Sequence, residues 1–336
     1  MISGRDILSA LQLEPEDIMD LVQLAEEIRA SQPPRSLAAG RLMCTAFFEP
    51  STRTRLSFTF AMKRLGGDVV DLGPEEVTSR AKGESFEDTV RMIDGYGPDV
   101  IVVRHGQPGS ATIAAEIASA PVINAGDGPN EHPTQALTDL YTLWREYRRL
   151  DGLTVAMVGD LKYGRTTSSL SYALSKFPNN KVYYVSPPQL RMRPEVLDRV
   201  SGKLRYEEVE RLEDVREPLH AIYMTRVQKE RFRDQSEYEE LKSYYVLTPE
   251  LLARLPGKPI VMHPLPRVSE IPVSLDSHPQ SRYFQQAQNG MYVRMALLIR
   301  VLGLQWPRGS PRRPPEAAQP RSGNPALGRD DVACHL

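Results

Sequence analysis

Cysteine is nearly missing from this chain: Cys44 and Cys334 are the two among 336 residues. That excludes a disulfide framework and a cysteine-ligated zinc site as sources of stability. Cys44 lies in an apolar run and reads as a small core residue. Long hydrophobic runs are missing too. None approaches the ~18–20 apolar residues that crossing a bilayer requires, and no signal-peptide pattern precedes the first helical segment. A cytoplasmic location without membrane contact is the expectation. Nor does one sign of charge dominate. Lys and Arg number 42 against 43 Asp and Glu, a net charge of −1. No global field therefore draws in nucleic acid, and any anion site has to come from local clustering. With 40% hydrophobic and 25% charged residues, the composition is that of a folded globular protein long enough for two domains.

Apolar strand-like runs alternate with helical patterns for most of the length. Strands are expected at Leu42–Phe48, Asp68–Leu72, Val100–Val103 and Val122–Asn124, then at Leu153–Val158, Lys181–Val185, Ala221–Met224, Tyr245–Leu247 and Pro259–Met262. Between them fall helix patterns at Pro15–Ala30, Thr54–Leu65, Phe86–Tyr96, Thr112–Ala118, Pro133–Arg149 and Thr166–Ser175, with a last helix at about Ser281 to Leu302. Val- and Ile-rich strands without polar alternation suit parallel sheets covered on both faces. The expected fold is α/β, two doubly wound parallel-sheet domains with the active site in the cleft between them. Residues 1–133 with 282–306 would form one domain and 134–281 the other. Beyond Trp306, six prolines between Pro307 and Pro325 among arginines and few apolar residues predict a disordered tail over 307–336.

Ligands of such folds collect at the carboxyl ends of strands, and the chemistry-bearing segments fall there. Phe47-Phe48-Glu49-Pro50-Ser51-Thr52-Arg53-Thr54-Arg55 puts three hydroxyls and two guanidiniums where a strand hands over to a helix. A helix start offers unpaired N–H groups and the positive end of a dipole. Arg53 can grip phosphate oxygens through two parallel hydrogen bonds. Ser or Thr capping with surface arginines is the plainer account, but the run of consecutive donors favours a phosphate cradle. Arg104 ends the strand Val100–Val103, and the turn from Gly126 to Gln135 delivers an imidazole and a carboxamide to a helix start. In the second half, Gly159 to Thr166, Arg226 to Arg231, and His263-Pro264-Leu265-Pro266-Arg267 follow strands. Each alone is a solvated loop; together they supply guanidiniums suited to a ligand with two carboxylates.

Ser51-Thr52-Arg53-Thr54-Arg55 resembles the carbamoyl-phosphate signature of the transcarbamoylases, and His132-Pro133-Thr134-Gln135 matches the H-P-T-Q motif they share. The resemblance covers nearly everything from Ile7 to Leu304. It implies that Ser51, Thr52, Arg53 and Thr54 hold a phosphate, that Thr54, Arg104 and His132 surround a carbamoyl oxygen, and that Gln135 accepts from the carbamoyl NH₂. His263-Pro264-Leu265-Pro266 and the run Arg226-Val227-Gln228-Lys229-Glu230-Arg231 look like the aspartate-specific branch, since ornithine-specific relatives carry H-C-L-P and lack the basic run. By that likeness Arg165, Arg226 and Gln228 bind the two carboxylates of aspartate, and backbone carbonyls at Pro264 and Leu265 receive its amino group. Glu49 would pair with Arg165 and Arg231 as the domains close. In the family, a loop matching Thr78 to Ser85 reaches a neighbouring subunit's site, contributing the residues matching Ser79 and Lys82, which makes a homotrimer the smallest active unit. The reaction implied is transfer of the carbamoyl group of carbamoyl phosphate to L-aspartate, an early step of pyrimidine synthesis, without cofactor or metal. Partners are the two substrates and other copies of the chain, with a regulatory chain or pathway enzymes left open. A transcarbamoylase for another amino acid such as ornithine, or a catalytically silent structural subunit, are the rival readings. Two positions depart from the family pattern: Thr59 stands where a carboxylate is usual, and Gly106 where proline is common.

Overall fold

The computed structural model describes residues 2–31, 33–73, 82–227, 236, 238 and 245–307. Two parallel sheets organise them. The first has four strands, β1 (Leu42–Phe47), β2 (Asp68–Asp71), β3 (Val100–His105) and β4 (Val122–Asp127), in the order β2-β1-β3-β4. The second has five, β5 (Thr154–Val158), β6 (Lys181–Val185), β7 (Arg205–Val209), β8 (Leu219–Met224) and β9 (Gly257–Met262), in the order β7-β6-β5-β8-β9. Every neighbouring pair runs parallel. In each sheet the strand order reverses beside the first strand, between β1 and β3 and between β5 and β8. A crevice opens at the carboxyl ends of such a reversal.

The helices are α1 (Pro15–Ala30), α2 (Thr52–Leu65), α3 (Phe86–Gly95), α4 (Ser110–Ile117), α5 (Pro133–Tyr147), α6 (Arg165–Leu174), α7 (Pro194–Val200), α8 (Pro249–Arg254) and α9 (Tyr283–Val301). Helix α5 carries the chain from the first sheet to the second, and α9 returns from β9 to pack against α1, α2 and α5. One apolar cluster joins both halves, with Phe58, Ile123, Leu140, Leu170, Val293 and Leu298 all fully or almost fully buried within it. The two crevices are thus held by a shared floor of α5, α6 and α9. Cys44 is buried in a smaller cluster under β1 and β3, where desolvation pushes its thiol up to about 11, so it is an inert core group.

The expected α/β architecture of two parallel sheets is present, and several boundaries move. Helix α2 starts at Thr52, two residues before the expected Thr54, because Ser51 occupies the N-cap. Strands β3 and β4 run on to His105 and Asp127, so Arg104 is a strand residue. The expected strand at Tyr245–Leu247 is not one. Leu247 donates its N–H to the Glu270 carbonyl and Tyr245 its hydroxyl to the Glu210 carbonyl, so the segment is tied to loops and joins no sheet. Strand β7 was not anticipated. It is a charged, largely exposed edge strand, the kind that resists pairing with other chains and shows no apolar signature. Helices α7 and α8 span seven and six residues, too short to reveal a period, although each opens with a proline at its first turn as helix starts favour.

Leu298, fully buried where α9 meets the other helices, tests this shared floor. Leu298→Ala should lower unfolding free energy by about 2–5 kcal/mol, read from the urea midpoint. A midpoint unchanged from the parent protein would show that the floor does not carry the fold.

Candidate active site

The carboxyl ends of both sheets face one cavity of about 790 Å³. From the first sheet it receives Glu49, Ser51, Thr52, Arg53 and Thr54 in the β1–α2 turn, Arg104 at the end of β3, and His132 and Gln135 at the start of α5. From the second it receives Arg165 at the start of α6, Arg226 after β8, and His263 to Pro266 after β9. Segments more than 200 residues apart in sequence, such as those of Glu49 and Pro266, converge on one site through the topology. Ser51, Thr52, Arg53, Thr54, Arg104, His132, Gln135, Arg165, Arg226, Pro264 and Leu265, all expected site residues, line it. Lys82 is described, exposed, and not among the lining residues. Ser79, Gln228 and Arg231 lie outside the described residues.

Ser51 bears on the choice between cap and cradle. It stands at the N-cap of α2 but its side chain makes no capping hydrogen bond, so the hydroxyl is not consumed by the helix. Arg55 does follow the plainer account: it pairs with Asp71 on β2 and stays out of the cavity. Thr59 donates its hydroxyl back to the Arg55 carbonyl within α2 at 3.0 Å, likewise away from the cavity.

Five arginines line the cavity, Arg53, Arg104, Arg165, Arg226 and Arg294, against the single carboxylate of Glu49 among the described residues. Glu49 Oε2 lies 3.3 Å from Arg165 Nη1 and 3.5 Å from Arg104 Nε, so one acid bridges cations from both sheets. The Glu49–Arg165 pair was expected; that with Arg104 was not. Arg165 also donates to the Gly128 carbonyl at 2.8 Å and Arg104 to the Ala125 carbonyl at 3.2 Å. Gly126 sits between them with φ +117°, and a Cβ there would stand 2.9 Å from Arg165 Cζ and 3.1 Å from Arg104 Nη1. At Gly106 a Cβ would press to 3.3 Å on Glu49 Oε1, so the departure from proline leaves room for the bridging acid. Burial, Arg165 and Arg53 push the Arg104 guanidinium down to about 9, against the pull of Glu49. Burial and Arg226 lower Arg53. Crowded cations with depressed pKa values are what an anion would relieve.

His132 is buried. Thr54 Oγ1 is 3.3 Å from its Nε2, Thr134 Oγ1 is 3.5 Å from its Nδ1, and its backbone N–H donates to Ser169 Oγ at 2.8 Å. Burial first, then Arg165, Arg104 and Arg294, hold the imidazole well below its ordinary value. It is therefore a neutral ring at the base of a cationic cavity, able to polarise an oxygen and poorly suited to hold a proton. The His263 ring is turned elsewhere: its Nε2 lies 2.7 Å from Glu270 Oε1 and its Nδ1 accepts the Leu265 N–H at 2.7 Å. That pairing shapes the loop carrying the Pro264 and Leu265 carbonyls.

Sequence reasoning missed Arg294, Asp139 and Gln286. Arg294 is buried on α9 with its guanidinium over the Phe58 ring at 5.2 Å, and burial pushes it down to about 10. A charged residue inside the apolar stripe of the last helix was the signal for it. Asp139, fully buried on α5, accepts from Gln135 Nε2 at 2.7 Å and Gln286 Nε2 at 2.6 Å. Burial raises it to about 7 in spite of those bonds. Its place one turn after Gln135 was visible, but nothing in the sequence told it from a surface carboxylate.

Comparison with known proteins agrees with this geometry. Residues 5–145 match the model of the aspartate/ornithine carbamoyltransferase carbamoyl-P binding domain, and residues 151–301 that of the aspartate/ornithine carbamoyltransferase Asp/Orn binding domain. The chain is 47% identical over 304 residues to an aspartate carbamoyltransferase catalytic subunit of Methanocaldococcus jannaschii, spanning 90% of this chain and 97% of that one. A solved catalytic subunit of M. jannaschii aspartate transcarbamoylase superposes with a TM-score of 0.80 at 44% identity, over 89% of this chain and 98% of that one. Aspartate transcarbamoylase from Trypanosoma cruzi in complex with carbamoyl phosphate and aspartate does so with a TM-score of 0.83 at 37% identity, over 89% and 97%.

The state of His132 is directly measurable. Its folded pKa lies below the free value of 6.5, so the unfolded chain takes up this proton first as pH falls. The stability this group contributes is full above about 6.5 and declines below it. Nitrogen NMR of the ring should show one neutral tautomer with no titration between about pH 8 and 6. A midpoint near 6.5 would contradict the buried cationic setting.

Proposed function

The chain belongs to the aspartate/ornithine carbamoyltransferase family, and from that membership we propose how its residues carry out the reaction. It is an aspartate carbamoyltransferase: it transfers the carbamoyl group of carbamoyl phosphate to the amino group of L-aspartate, giving N-carbamoyl-L-aspartate and phosphate. The observation that carries the assignment of roles is the cavity itself, five arginines against one carboxylate where two parallel sheets present their carboxyl ends. Residues 1–133 with 282–306 are assigned to carbamoyl phosphate and 134–281 to aspartate.

In this reading Ser51, Thr52, Arg53 and Thr54 cradle the phosphate at the start of α2, where unpaired N–H groups and the helix dipole add to their donors. Thr54, Arg104 and neutral His132 surround the carbamoyl oxygen, and Gln135 accepts from the carbamoyl NH₂. Arg165, Arg226 and Gln228 take the carboxylates of aspartate, with its amino group received by the Pro264 and Leu265 carbonyls. As the amine attacks, the new N–C bond forms, the C–O bond to phosphate breaks, and negative charge grows on the carbamoyl oxygen. Fixed donors stabilise that charge more than they stabilise the substrate. The departing phosphate, held by Arg53, takes the amine's proton, because His132 in its cationic surroundings is too weak a base. Glu49, bridging Arg104 and Arg165, joins the halves and orients both substrates, with Arg231 joining as they close.

Ser79 and Lys82 act in a neighbouring copy, which accords with Lys82 standing outside its own cavity. The working unit is then a homotrimer in the cytoplasm, serving pyrimidine synthesis. No described helix is long and apolar enough to cross a membrane.

Removing one such donor typically lowers turnover by about 10²–10³. Arg53→Ala should therefore cut kcat at least that far, and near-normal turnover would refute the cradle. Arg226→Ala should raise the KM for aspartate by tenfold or more (about 1.4 kcal/mol) while carbamoyl phosphate binding by calorimetry stays within about twofold; equal loss for both substrates would contradict the division between the sheets. Native mass spectrometry should give three times the chain mass, and a monomer active at assay concentration would remove the shared site.

A further inference from the structure

Asp139 does not touch the cavity, yet its hydrogen bonds determine which way a cavity residue faces. Gln286 Oε1 accepts the backbone N–H of His263 at 2.8 Å. A backbone N–H only donates, so the Gln286 carboxamide has one possible orientation: oxygen toward His263, NH₂ toward Asp139. That NH₂ reaches Asp139 Oδ1 at 2.6 Å, which makes Oδ1 an acceptor. The second group on Oδ1 is the carboxamide of Gln135 at 2.7 Å. It must also present its NH₂ to Oδ1, and its oxygen is left for the cavity that Gln135 lines. A single chain of donors and acceptors thus runs from β9 through α9 and α5 to Gln135.

We propose that Asp139 is the positioning residue that fixes the polarity of Gln135, making its cavity-facing atom an acceptor and so selecting a carbamoyl over an acetyl group. This deepens the reading above and rests on it, since it requires Gln135 to read the carbamoyl NH₂. Were the carboxamide free to turn, it would present NH₂ to the substrate's NH₂, two donors face to face, and that mismatch would fall on carbamoyl phosphate alone. Acetyl phosphate has a methyl group at the same place and gains or loses little from the turn. It reacts by the same bond changes: the amine of aspartate attacks the acetyl carbon, the C–O bond to phosphate breaks, and N-acetylaspartate and phosphate form.

The chemistry of the other oxygen sharpens the test. Asp139 Oδ2 is buried, and the Tyr223 hydroxyl on β8 is a polar neighbour of the carboxylate. An asparagine here keeps an acceptor for both glutamines and places its NH₂ where Oδ2 stood. A leucine keeps the volume and removes the acceptor. The measurement is the ratio of kcat/KM for carbamoyl phosphate to that for acetyl phosphate, with aspartate as acceptor, on the purified full-length enzyme. Asp139→Asn should retain the parent ratio within about twofold. Asp139→Leu should reduce it by about tenfold, the range expected for one hydrogen bond replaced by a clash of donors. Asp139→Ala, which removes the same acceptor without the bulk of leucine, should reduce it in the same direction and serves if Asp139→Leu does not fold. A ratio unchanged in Asp139→Leu or Asp139→Ala, with both substrates losing activity equally, would reduce Asp139 to a structural group and overturn the proposal. Loss of the ratio in Asp139→Asn as large as in Asp139→Leu would overturn it too, by placing the effect in charge. Gln135→Leu separates the two levels: if it retains the ratio, the reading of Gln135 itself fails.

Discussion

The bridge from Glu49 to Arg104 and Arg165 is the interaction on which the site depends. Two like charges about 4 Å apart repel by roughly 4 kcal/mol at an effective dielectric of 20, and burial sharpens the effect. Arg104 and Arg165 are each mostly buried, and one carboxylate within 3.5 Å of both offsets part of that repulsion. The remaining excess of positive charge is what a phosphate and a dicarboxylate can neutralise. Because Glu49 and Arg104 belong to the first sheet and Arg165 to the second, the same contact also sets how the two crevices face each other.

Such a concentration of charge needs a rigid floor, and the helices shared by the two halves provide it. Helices α5 and α9 bring apolar side chains to a common cluster and also carry the buried polar groups beneath the cavity. Asp139, Gln135, Gln286 and the His263 backbone satisfy one another in sequence, and the His132 backbone is tied to Ser169 on α6. Buried polar groups left unpaired are costly, so a network of this kind has few alternative arrangements. That rigidity is what electrostatic catalysis requires, since donors already in place need no reorganisation as charge develops.

The two departures from the family pattern become intelligible in three dimensions. Thr59 bonds within its own helix, on a face that does not line the cavity, so the missing carboxylate has no direct contact there. Gly106 abuts Glu49, where the absent side chain leaves space for the bridging acid.

Much was legible without coordinates. Strands rich in Val and Ile, with helical periods between them, determined two parallel sheets, because side-chain pattern and element type are local properties. The donor runs at Ser51 to Thr54, Arg104, His132 to Gln135, Arg165 and Arg226 were equally visible, since each is a short segment of fixed chemistry at a strand end. Segments whose partners are distant were not legible. Tyr245–Leu247 has strand-like residues but bonds to loops, and β7 has charged residues yet pairs with β6. Arg294 and Asp139 look like any other charged residues until folding buries them. Composition and spacing along the chain thus determined which chemistry was available, while only the tertiary structure decided which charges share one cavity and which way Gln135 faces. Electrostatic and hydrogen-bond energies depend on distance and burial between residues far apart in sequence, and those are decided when the chain closes on itself.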